Sequence, residues 1–196
     1  MKNIILIASL FLTLIIAGLS LPAHATDEVE LIYDVVGLYQ NEALQRFGKK
    51  ITIEIEQTDK FDAYGLVNTK HIAITTGALD LFFDKEILPI VCHELGHIMS
   101  RAPFLEGEAD YFAGPCMVRY LMEIEGLNES AAKAEAIAIV EHQVRHYVQN
   151  RKVYAERAYH LEISGVSANH SSWDCRLLTI TNSIHGLNRP TCWYNP

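Results

Sequence analysis

"VCHELGHIMSRAPFLEGEADYFAGPC", Val91 to Cys116, holds two histidines four residues apart, an acidic cluster beyond them and a cysteine near each end. His93-Glu94-Leu95-Gly96-His97 fits H-E-x-x-H. On a helix, side chains four apart share a face, so both imidazoles can reach one ion. Glu94 follows His93 directly and can reach the remaining coordination position. Zinc held in this way brings the acidity of water towards neutrality, and a neighbouring carboxylate takes the proton as a carbonyl is attacked. The pattern predicts His93 and His97 as metal ligands and Glu94 as a general base. An ordinary pair of helices that happens to carry histidines is the competing reading.

A catalytic zinc needs a third protein ligand. The metzincin pattern asks for glycine at position 100 and histidine at 103, but Ser100 and Pro103 stand there. Leu105-Glu106-Gly107-Glu108-Ala109-Asp110 offers carboxylates instead. Glu106 and Asp110 lie four apart, so Glu106 can bind the metal while Asp110 orients a ligand imidazole. Glu108 points elsewhere on the same helix. An acid-rich helix start, favoured by the macrodipole, would look the same.

Working outward, Leu31, Val35, Leu38, Tyr39, Ala43 and Phe47 recur at helical spacing and predict one helix from Glu28 to Phe47, ended at Gly48. Ile51, Ile53 and Ile55 predict a strand, and His71 to Thr75 a second extended stretch, with Gly65 and Gly77 as punctuation. A short apolar helix is expected near Ala78 to Phe83. Asp84 to Met99 reads as a helix with Pro89 in its first turn or at a kink. After the tight connection at 101–104 another helix runs from about Leu105, disturbed by Pro115. Glu129 to Ala158 predicts one or two packed helices. Beyond Gly165 the chain reads as loop, with a short apolar segment from Leu177 to Ile184.

At the start, Lys2, an apolar run from Ile4 to Leu19 and Ala23-x-Ala25 before Thr26-Asp27-Glu28 predict a secretory signal over residues 1–25. The remaining 171 residues suit one domain, 26–196. That signal holds one basic residue and no acid, so 15 basic residues face 24 acidic ones, a formal charge of −9. Nucleic acid and anionic membrane surfaces are therefore poor partners. Cys92, Cys116, Cys175 and Cys192 make an even set, which favours disulfides in an exported chain, with buried free thiols as the alternative. Two antiparallel helices joined near Phe104 would bring Cys92 and Cys116 together, each twelve residues from the turn. Cys175 and Cys192 would then close the C-terminal loop.

H-E-x-x-H followed by Glu106-Gly107-Glu108-Ala109-Asp110 resembles the gluzincin metallopeptidases that include the CAAX prenyl endopeptidases and HtpX-type proteases. Their signature adds a downstream E-x-x-A-D, and the resemblance implies that Glu106 is the third ligand. It extends upstream, where Asn68 to Leu81, "NTKHIAITTGALDL", looks like the edge strand and turn preceding their catalytic helix. It extends downstream to "HSSWDCR", which gives His170 and Arg176 at the family's spacing of a His-Pro and an arginine, with Ser171 in place of the proline. This implies that His170 donates a hydrogen bond to the transition state, while Arg176 fixes its ring or an adjacent carboxylate. Only eight residues separate His97 from Glu106, and no transmembrane helices follow, so the likeness is to a compact, minigluzincin-like version covering roughly residues 60 to 180. His142 and His146 lie four apart with no evident third ligand and read as a solvated face; His71, His160 and His185 carry no signal.

The expectation is an α+β, mainly helical zincin-type domain with a small β-sheet. Its function would be that of an exported, periplasmic or secreted endopeptidase holding one Zn2+ and acting on a peptide or protein, with no membrane span after signal removal. A non-catalytic zinc-binding protein with a chaperone-like role is the alternative, and a hydrolase of a non-peptide amide is the third reading.

Overall fold

The computed structural model describes residues 23–82, 85–102, 105–157 and 172–193. Helix α1 (Ala23–Gly37) buries Leu31 and Val35, which the periodicity marks, and beside them Ile32 and Val36. The helix expected to reach Phe47 is broken at Leu38 and Tyr39 and resumes as α2 (Gln40–Phe47). Tertiary anchors explain the break. Tyr39 is buried against Phe112, with ring centroids 5.4 Å apart. The Gln40 amide exchanges two hydrogen bonds with the backbone of Ile51, at 2.8 and 2.9 Å. Gly48, in the left-handed conformation at φ 67°, ends α2 as expected.

Three strands follow, β1 (Thr52–Glu56), β2 (Ala63–Leu66) and β3 (His71–Thr75), in the spatial order β1-β3-β2. β1 runs parallel to β3 with Ile53 opposite Ile72, and β2 runs antiparallel with Ala63 opposite Ile74. β3 is therefore central, and its Ile72, Ala73 and Ile74 are wholly buried. This corrects the expectation that His71 to Thr75 is the edge strand; the edge beside the helices is β2. Thr75 caps the short helix α3 (Thr76–Leu79) by accepting from the Ala78 amide.

Helices α4 (Ile87–Met99) and α5 (Glu106–Glu123) form the hairpin that Val91 to Cys116 predicts. Pro89 falls in the first turn of α4, and α5 continues through Pro115 as one element rather than breaking there. Cys92 is bonded to Cys116, with Cα atoms 5.7 Å apart, and Cys175 to Cys192. A bridge of this kind stabilises by about 3 kcal/mol, on a model-dependent account. Where the two helices cross, a Cβ on Gly96 would lie 2.6 Å from Ala109 Cα and 2.8 Å from its carbonyl oxygen. Gly96→Ala should push the helices apart and lower stability by about 1–3 kcal/mol. A urea melt that coincides with wild type would contradict this crossing.

Helix α6 (Glu129–Arg157) is kinked at Asn150, whose φ of −108° and ψ of 15° leave the helical range. His142 and His146 are not a plain solvated face. Their Nδ1 atoms stand 2.6 and 2.7 Å from the two oxygens of Glu86, a buried carboxylate just before α4, and Gln143 donates to the Glu86 carbonyl. The acid sits sixty residues upstream of His146, which is why no local pattern announced it. Where the sequence predicts loop with a short apolar segment, the described residues from Ser172 onward form a longer helix. Ser172 accepts from the Cys175 amide and opens α7 (Trp173–Ile184), with Asp174 in the first turn. A 3₁₀ turn at Thr191–Trp193 follows. The fold is mostly helical with one small sheet, as the α+β expectation has it.

Candidate metal centre

His93 and His97 occupy one face of α4, one turn apart, with ring centroids 4.7 Å apart and ring planes nearly perpendicular. Their Nε2 atoms are separated by 3.1 Å. Glu106, the first residue of α5, brings Oε2 to 3.1 Å from His93 Nε2 and 3.6 Å from His97 Nε2. Ligand atoms at about 2.0–2.1 Å from a tetrahedral zinc lie about 3.3 Å from one another. The three atoms thus have the spacing and chemistry of a site that could hold a metal ion, and no other such group occurs among the described residues.

Behind these atoms stands a second set of contacts. His93 Nδ1 is 2.8 Å from Asp110 Oδ1, so the imidazole's N–H is directed to that carboxylate and Nε2 faces Glu106. Asp110 is gripped by Arg176 from α7: Nε donates to both oxygens at 3.2 and 3.1 Å, and Nη2 to Oδ1 at 2.8 Å. Burial opposes a charged Asp110, but Arg176 and then His93 outweigh it and hold the carboxyl well below the usual range. Burial likewise opposes a charged His93, yet Asp110 and Glu106 raise it to about 9, so an entering ion displaces a proton. Arg176→Lys keeps the charge and loses the fork. It should weaken zinc binding by about 10–100-fold, and competition with a chromophoric chelator that gave a wild-type value would contradict the support assigned to Arg176.

Glu94 is buried on α4 next to β2, and burial, partly offset by His93 and His97, pushes its carboxyl above the ordinary value. A Cβ on Gly65 would lie 2.7 Å from the Glu94 carbonyl and 3.4 Å from Oε2, so only glycine lets the edge strand approach so closely. Gly65 and β2 were missed in the sequence, where Gly65 read as punctuation. Glu108 points away from the centre, to Arg189. The structure thus brings together His93, Glu94, His97, Glu106, Asp110 and Arg176, while His170 lies outside the described residues.

A cavity of about 520 Å³ on another face of α5, lined by Arg46, Ser100, Tyr111 and Arg189 among others, contains none of these six residues. No curated protein and no solved structure matches this chain. Asp110 and Arg176 also lie beyond the stretch that the family comparison covers. That stretch, residues 41–108, is about a third of the chain and holds the sheet, α4 and the first turn of α5; it matches the model of peptidase family M48, and the likeness supports a metallopeptidase of that kind.

Proposed function

We propose that this protein is an exported zinc-dependent endopeptidase that uses His93, His97 and Glu106 as ligands and Glu94 as general base. The observation that carries the reading is the count of ligands. Among the described residues three protein atoms converge, not four, and a buried carboxylate adjoins them. A purely structural zinc closes its fourth position with protein and has no use for such a base. The family match supplies the substrate class, a peptide or protein.

Zinc, when bound, supplies a Lewis acid that polarises a carbonyl and makes water acidic near neutral pH. The chain's own residues do the rest. Asp110 holds the His93 ring through Nδ1, and Arg176 holds Asp110. Glu94 receives the proton of the attacking water and returns it to the leaving amine, a role to which its raised pKa is suited. β2 is paired with β3 along one edge, its Gly65 packs closely on Glu94 of α4, and its other edge has no strand partner among the described residues. An extended peptide added there would meet the base along its length. His170 keeps the role that the family resemblance gives it, a donor to the oxygen on which charge develops.

Two disulfides suit an oxidising compartment, and among the described residues no helix is long and apolar enough to cross a membrane. The reading is tested by metal analysis of the purified protein together with a peptide-library digest. One zinc per chain and cleavage of unfolded peptides are expected; a zinc-loaded protein that cuts no peptide would sink the endopeptidase assignment.

A further inference from the structure

Glu106 stands at the first position of α5, and no side chain caps that turn. Leu105 at the N-cap makes no side-chain hydrogen bond, so the serine, threonine or aspartate that commonly satisfies the first amides is missing. A first turn fixed only by its own few hydrogen bonds is the part of a helix that forms least readily. A segment from the far end of the chain contacts this turn instead.

Leu187 accepts from Tyr111 Oη at 2.7 Å. Arg189 Nη2 donates to both Glu108 oxygens, at 2.7 and 2.8 Å, and its guanidinium lies 4.5 Å from the Tyr111 ring centroid and 4.6 Å from that of Trp193. A Cβ on Gly107 would fall 0.8 Å from Trp193 Nε1, so the indole fills the space that any side chain there would need. Gly107, Glu108 and Tyr111, close to the proposed ligand in the first turns of α5, are thus each held by residues of 187–193. The same segment is joined to α7 by Cys175–Cys192, and the residue after Cys175 is Arg176, which grips Asp110.

We propose that residues 187–193 form a positioning strap that fixes Glu106 against His93 and His97, with Cys175–Cys192 keeping the strap and Arg176 in one register. This rests on Glu106 being the third ligand. None of the strap residues touches the ion; they act by ordering the turn before it binds, so that less conformational entropy is lost on binding. Metal affinity then depends on Trp193 and Arg189, and on the redox state of one disulfide.

The test measures the zinc dissociation constant by chelator competition, and amide hydrogen exchange over residues 106–111, in the full chain. Trp193→Ala and Arg189→Ala should weaken zinc by about 10–100-fold and speed exchange in that turn while cooperative melting is retained. Arg189→Lys, a milder change that retains the charge, should fall between these and wild type. The paired change Cys175→Ser and Cys192→Ser should weaken zinc in the same direction. If Glu106→Ala loses its zinc while every strap variant binds within twofold of wild type, the strap is wrong and the ligand assignment stands. If Glu106→Ala keeps its zinc in full, the ligand assignment fails and the strap's proposed role fails with it.

Discussion

Glu94→Gln is expected to hold as much zinc as the wild-type protein and to lower kcat by on the order of 10²–10⁴, the range a positioned general base supplies. Glutamine nearly keeps the shape of the side chain that lies beside Gly65 but cannot accept the proton. The buried site makes this separation clean. Burial pushes the Glu94 carboxyl up, so its replacement by a neutral amide adds no desolvation cost. Stability should therefore be unchanged or slightly raised. Peptide turnover at matched zinc content decides it, and near wild-type kcat in Glu94→Gln would remove Glu94 from the reaction without touching the ligand set.

Alanine at His93, His97 or Glu106 should have the larger effect on the metal itself. If the apparent binding energy of a structural zinc, about 10–16 kcal/mol, is divided evenly among four ligands, each contributes about 3 kcal/mol, a factor of more than a hundred in affinity. His93→Ala should be the most severe because it also leaves Asp110 and Arg176 without the ring that they hold. Zinc content after dialysis should fall from close to one per chain to a small fraction in all three variants, with peptide turnover lost in parallel. Should Glu106→Ala alone retain its zinc, the third ligand would have to come from elsewhere, and Asp110, already committed to His93 Nδ1 and Arg176, would be the first to examine.

The six residues at the centre were legible to different degrees. His93, Glu94 and His97 are spaced by the pitch of one helix, so their shared face follows from local geometry alone. Glu106 and Asp110 could be named from a second helix of the same pitch, but the sequence could only suggest that the two helices meet. Cys92–Cys116 and the contact of Gly96 with Ala109 are what bring them together. Arg176 was marked by family resemblance, yet its grip on Asp110 spans 66 residues and has no periodic signal. The strand β2 went unseen because four residues containing a glycine give too little alternation to detect. The break at Tyr39 went unseen for the opposite reason, since the apolar periodicity continues across it.

What the sequence by itself determined is the set of properties that repeat along one element: the helical faces, the Gly48 stop, the acid-rich opening of α5 and the shared face of His93 and His97. Local chemistry suffices there, because a helix's pitch and a glycine's backbone freedom do not depend on the rest of the chain. Tertiary structure alone decided which strand of the sheet borders Glu94, that Glu86 gathers His142 and His146, and that Arg189 and Trp193 return to the turn carrying Glu106. Those contacts join residues tens of positions apart, and buried polar groups find partners by proximity in space, which no spacing in the chain encodes.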